Sequence, residues 1–229
     1  MGLFDVFRKT PQERRAEEAH RRAAQEDLEV YSGMRVEVTS GDGRIFLVAK
    51  LLDLRGDRAR LEPAADGSLL TRLDEPLNVI MRGYSSRTNR AVVLEGTVRV
   101  GPNKLWQAEH LALVQPEENR ANVRVETDLE GVFTVAGRPG VSEERCHIRN
   151  MGMGGVGIGA QARRDVGDRL LLEVDRLLEL RDTALCCQIL RIDTHKPGYF
   201  EYGCRFLDLD DEKERRLYRA MYALYHGLY

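Results

Sequence analysis

The sequence predicts a mainly β protein in two tandem parts, with a helix at its start and an amphipathic helix at its end. Three observations predict it. From Ser32 to Val114, short alternating apolar runs are broken by Gly, Pro and Asp turn signals, and from Val125 to Phe206 the same pattern resumes. Between them lies Gln115-Pro116-Glu117-Glu118-Asn119, where no apolar periodicity commits the backbone to a helix or a buried strand. After Phe206 the period switches to that of a helix. The expected division is residues 1–31 for a tip and helix, 32–114 for a first β domain, 115–124 for a linker, and 125–229 for a second β domain with its closing helix.

In chain order, Leu3, Phe4, Val6 and Phe7 make a small apolar tip. Thr10-Pro11-Gln12-Glu13 then supplies a capping hydroxyl, a proline at the first helical position and a Glu three residues after the cap. The helix expected from there to about Val30 is rich in Ala, Glu and Arg and poor in large apolar residues, so it reads as solvated. In the first β region, Arg35-Val36-Glu37-Val38 alternates and Gly41-Asp42-Gly43 signals a hairpin turn before the strand Ile45–Leu52. Arg58–Glu62, Asn78–Met81, Val92–Val100 and Trp106–Val114 follow, a set that fits a sandwich or a small barrel. The second region offers Gly131–Val135, Cys146–Arg149, Val156–Gly159, Arg169–Val174, Ala184–Ile192 and Phe200–Phe206. About six strands in so short a stretch fit a small closed barrel. Asp175–Arg181 reads as either a helical turn or a loop. Asp208–Asp211 caps the last helix, where Leu217, Met221, Leu224 and Leu228 form an apolar stripe with tyrosines one position along.

Composition narrows the function classes. A net charge of -2 gives no bulk electrostatic reason to bind nucleic-acid polymers or acidic membranes, so any anion site must be local. No apolar run reaches the eighteen residues of a membrane span, and Met1–Lys9 lacks the apolar region of a signal peptide, so a cytoplasmic protein is expected. Cys146, Cys186, Cys187 and Cys204 lack metal-type spacing and read as small buried hydrophobes; no metal site or cofactor is expected. No G-x-S-x-G, H-E-x-x-H or P-loop occurs, and the glycine run Gly152–Gly157 leads into an alternating strand rather than a helix, which excludes a Rossmann loop. No catalytic residue is assigned, and the chain is not read as an enzyme.

Chemistry concentrates in two short stretches. Arg120-Ala-Asn-Val-Arg124 places two guanidinium forks four residues apart at the exit of the linker, where they can wrap a ligand. Such forks match phosphate oxygens and the acceptor edge of guanine, and they stack on flat bases. Asn150-Met151-Gly152-Met153-Gly154-Gly155 then joins a carboxamide able to pair with a base edge to glycines that permit close backbone approach.

At these residues the chain resembles the PilZ domain, the cyclic-di-GMP receptor family, whose signature is R-x-x-x-R followed by [D/N]-x-S-x-x-G. Arg120 and Arg124 match the first half; Asn150 and Gly155 match the second. Gly152 stands where the family usually has Ser, and Asn119 stands where many members carry a further Arg. The order of the two β regions resembles the YcgR-type flagellar brake proteins, whose N-terminal module is a split barrel of PilZ type without the nucleotide motif. The resemblance implies two small β-barrel domains in tandem and cyclic-di-GMP as ligand. Arg120, Arg124, Asn150, Gly152 and Gly155 would contact it, with Asn119, Arg145 and Arg149 as further candidates. It also implies output through changed interdomain geometry read by a protein partner, with flagellar motor components as the candidate. The competing reading is a degenerate PilZ scaffold that binds no nucleotide and serves as a protein-interaction adaptor.

Overall fold

A computed structural model describes residues 29–64, 73, 75–101, 105–114, 121–137 and 142–229. The expected N-terminal tip and most of the expected first helix, together with Asn119 and Arg120, lie outside the described residues. Among the described residues, twelve strands account for most of the backbone: β1 (Arg35–Ser40), β2 (Phe46–Arg55), β3 (Arg58–Pro63), β4 (Leu77–Ser85), β5 (Arg90–Val100), β6 (Trp106–Val114), β7 (Val125–Val135), β8 (Glu144–Gly152), β9 (Gly155–Ala160), β10 (Arg169–Glu173), β11 (Leu185–Lys196) and β12 (Tyr199–Phe206). A 3-10 turn at Leu178–Leu180 answers the ambiguity at Asp175–Arg181, and the helix α1 spans Asp211–Tyr225.

The first sheet closes in the order β1-β2-β3-β6-β5-β4 and the second in the order β10-β11-β12-β9-β8-β7. Closure removes the open strand edges that would otherwise invite aggregation. In the second barrel every neighbouring pair is antiparallel, which suits strands joined by short turns. Its core follows from the alternation read in the sequence: Ile148, Ile158, Leu170, Leu172, Leu185, Cys187 and Ile189 are fully buried, while their strand neighbours face outward.

By contacts the chain divides into two compact units, Met1–Val36 with Ala49–Glu62 and Leu73–Ala121, and Glu37–Val48 with Pro63–Arg72 and Asn122–Tyr229. The turn joining β1 to β2 therefore belongs to the second unit, a feature that strand alternation could not reveal. The turn is fixed locally by Asp42, whose carboxylate takes the Ser40 hydroxyl at 2.6 Å and the Arg44 backbone N–H at 3.1 Å. Those hydrogen bonds hold its carboxyl down at about 2.

The same hairpin is seated on α1. Phe46 is 2% exposed and stacks between Tyr218 and Tyr225, at centroid distances of 5.9 and 5.3 Å. The Tyr218 hydroxyl donates to the Phe46 carbonyl at 3.3 Å, and the Tyr225 hydroxyl donates to the Ser40 carbonyl at 3.4 Å. Each ring thus buries its apolar body and still satisfies its polar tip. Asp210 caps α1 by accepting from the Lys213 N–H at 2.8 Å. Leu217, Met221 and Leu224 on the same helix face are buried, as the sequence stripe anticipates, whereas Leu228 lies beyond the helix and is exposed.

Truncating Phe46 to Ala should lower the unfolding free energy by about 3–5 kcal/mol, as for a buried aromatic whose site cannot collapse, measured by denaturant unfolding. Alkaline pH should also weaken the fold. Burial raises the Cys146 thiol from 9.0 to about 12 and raises the Tyr218 phenol as well. These groups stabilise the folded state fully below their unfolded values. Above about pH 9 the unfolded chain ionises first, and stability falls as pH rises toward the folded values. A denaturant series from pH 7 to 10.5 should be flat up to about 8.5 and then decline, with a shallower decline in Cys146→Ala.

Candidate functional site

The described motif residues converge at one rim of the second barrel. Arg124 immediately precedes β7, Asn150 and Gly152 end β8, and Gly155 opens β9 after the two-residue turn Met153-Gly154. Register sets their neighbours: Asn150 lies opposite Glu126 on one side and Gly157 on the other, and Gly152 lies opposite Gly155. Arg124 and Gly152 adjoin, since a Cβ on Gly152 would sit 3.6 Å from Arg124 Cγ.

Close approach explains the glycines here. A Cβ on Gly152 would lie 2.5 Å from the Val123 carbonyl oxygen, and one on Gly155 would collide with the Cys204 carbonyl. The strand β9 faces the core through Val156, Ile158 and Ala160, so all its outward positions, Gly155, Gly157 and Gly159, are glycine. The Asn150 carboxamide occupies the vacated space: a Cβ on Gly157 would stand 2.9 Å from its Oδ1. Asn150 is thereby laid flat on the outer face of the barrel.

The backbone leading into Arg124 is anchored by a residue outside the motif. Glu37, 2% exposed, accepts from Asn122 Nδ2 and from the Val123 N–H, both at 2.6 Å. Such short charge-assisted bonds are about twice as strong as neutral ones. The Asn122 side chain also lies close over Gly154, its Oδ1 2.7 Å from where a Gly154 Cβ would be. Of the segment expected to wrap a ligand, Asn122 and Val123 are fixed in place. Sequence reading missed both Glu37 and the role of Asn122. A lone Glu between Val36 and Val38 reads as an outward, solvated position, so the sequence carries no signal for it.

The remaining candidates are placed elsewhere on the same barrel. Arg149, half exposed, pairs with Glu201 at 3.6 Å. Arg145 lies opposite Val132, five residues back along β8 from Asn150 or roughly 17 Å at strand spacing. There it lines a cavity of about 740 Å³ with Glu130, His147, Glu173, Arg176 and Tyr199. Cys146, Cys187 and Cys204 are buried and Cys186 is half-buried; burial raises the thiols of Cys146 and Cys186, which disfavours the reactive thiolate. No described helix is long and apolar enough to cross a membrane.

The sequence of residues 118–223, spanning this rim, the barrel and nearly all of α1, matches the PilZ domain. The match starts at Glu118, ahead of Arg120, so both motif arginines fall inside it. No curated protein matches the chain in sequence. Solved structures similar to it include Escherichia coli YcgR in complex with c-di-GMP, 17% identical, covering 90% of this chain and 89% of that one with a TM-score of 0.38. Others are the Bacillus subtilis inhibitor of motility MotI/DgrA (13% identical, 83% and 95% covered, TM-score 0.36) and the K. pneumonia MrkH–c-di-GMP complex (8% identical, 92% and 92% covered, TM-score 0.40).

Restoring the hydroxyl of the usual motif with Gly152→Ser should not improve the PilZ site. The new Cβ must displace the Val123 carbonyl, and the substitution should cost about 1–3 kcal/mol of stability, read by denaturant unfolding.

Proposed function

We propose that this protein is a receptor for cyclic-di-GMP whose PilZ domain takes the dinucleotide at the rim formed by Arg124, Asn150, Gly152 and Gly155, with Arg120 completing the clamp. The observation that carries this reading is the juxtaposition of a motif arginine with the β8–β9 turn: Arg124 lies beside Gly152, and Asn150 lies flat against Gly157 on the outer face. A planar guanidinium offers paired donors to phosphate or to guanine O6 and N7, and a carboxamide offers both a donor and an acceptor to a base edge. Gly152 lets the Val123 carbonyl pack against the β8–β9 turn, and Gly157 lets the Asn150 carboxamide lie on the barrel surface, where a ligand base can meet it. Because the chain's net charge is only -2, affinity arises from these local donors rather than from a general field.

Output follows from position. Arg120 and Arg124 lie in the linker, proposed as 115–124, so a ligand that engages both changes the geometry between the N-terminal β domain, proposed as 32–114, and the PilZ domain with its helix, proposed as 125–229. The change is limited by the ligand's preference for one arrangement over the other. A protein partner reads the new arrangement, and control of flagellar motility through the motor is the assignment the family likeness favours. The domain works in the cytoplasm and performs no catalysis on its ligand.

One observation favours a second reading, a PilZ scaffold that binds no nucleotide. At position 152 the Val123 carbonyl stands in the space a serine side chain would need, so a polar contact of the usual motif is absent. Calorimetric titration with cyclic-di-GMP separates the two. The receptor gives saturable heat, and Arg124→Ala weakens the affinity at least about a hundredfold, the loss of more than one charge-assisted contact. No heat at millimolar ligand would establish the scaffold instead.

A further inference from the structure

Glu37 stands 85 residues before Asn122, with strands β2–β6 between them in sequence, yet its carboxylate is almost wholly buried against the entry to the motif. A buried carboxylate is costly unless donors surround it, and a donor pair aimed at one carboxylate fixes the positions of the groups that carry it. Here the donors are the Asn122 side chain and the Val123 backbone, the two residues immediately before Arg124. Glu37 itself cannot drift. Its hairpin is held against α1 through Phe46, Tyr218 and Tyr225, and its turn is closed by Asp42.

We infer that Glu37 is a positioning residue for the ligand site: it presets the backbone from which Arg124 reaches the β8–β9 turn, so that ordering this segment costs little when ligand arrives. This inference rests on the receptor reading above. The effect passes through Val123 as well, because its carbonyl packs over Gly152 on one side while its N–H is held by Glu37 on the other. Removing the carboxylate frees the Asn122–Val123 backbone, and part of the binding free energy must then go into fixing it again.

The test compares the full chain with Glu37→Ala, Glu37→Gln and Asn122→Ala by calorimetry with cyclic-di-GMP, at a temperature where each variant is folded by thermal melt, and reads amide hydrogen exchange at Val123. Glu37→Ala should weaken binding about tenfold or more, an effect the size of one lost hydrogen bond to a charged group. Glu37→Gln keeps an oxygen for the Val123 N–H and should recover most of the affinity. Asn122→Ala should add little to Glu37→Ala, since both act through one contact. Val123 should lose exchange protection in Glu37→Ala with no ligand present, whether or not the melting temperature moves. Unchanged affinity in Glu37→Ala alongside normal wild-type binding overturns this role and leaves the receptor intact, and so does a Val123 amide that stays protected. A wild-type chain that binds nothing overturns the receptor reading and this inference with it.

Discussion

An aromatic ring held between two others organises the second unit. Phe46 comes from a hairpin near the start of the described chain, and Tyr218 and Tyr225 come from the helix at its end, so their stacking joins sequence-distant elements around one apolar contact. Large rings suit this task because they bury much surface while losing few rotamers, and the hydroxyls of both tyrosines find carbonyl partners on the hairpin. With the hairpin so placed, the carboxylate of Glu37 arrives beside Asn122 and Val123, and the motif arginine that follows starts from a defined point. Packing at one location thus becomes geometry at another.

The rim that carries Asn150, Gly152 and Gly155 is built largely from missing side chains. In a closed antiparallel barrel, outward positions normally carry polar residues into water. On β9 they carry none, and neighbouring strands lean their side chains over the bare backbone, with Asn150 over Gly157 and Tyr199 against Gly159. Carbonyl groups also come closer than any Cβ would allow, at Gly152 and Gly155. The rim therefore combines closely packed backbone with the few side chains that lie over it.

Much of this was legible in the sequence. Alternation located each of the twelve strands from β1 to β12, with β4, β7, β8 and β11 notably longer than the apolar runs suggested, because the pattern dims where outward and inward residues are both polar or small. The capping Asp210 and the apolar stripe of α1 were equally plain. Arg124, Asn150, Gly152 and Gly155, singled out from the sequence, lie together at one rim. What the sequence concealed was long-range partnership. Nothing local marks Glu37 as buried, since an alternating Val-Glu-Val reads as solvated, and nothing marks the β1–β2 turn as belonging with residues after Ala121. Such assignments depend on which chain segment covers another, information held in packing rather than in any window of residues.

The contact between Phe46 and Tyr218 spans 172 positions, and this separation bears on how the protein is made. A growing chain emerges from the ribosome with the hairpin long before the helix that covers it. During that interval Phe46 and Val48 lack their eventual cover, and the segment before Arg124 lacks its settled support. A chain that ends before Tyr218 therefore carries the hairpin and the motif residues without the tyrosines on which the hairpin rests.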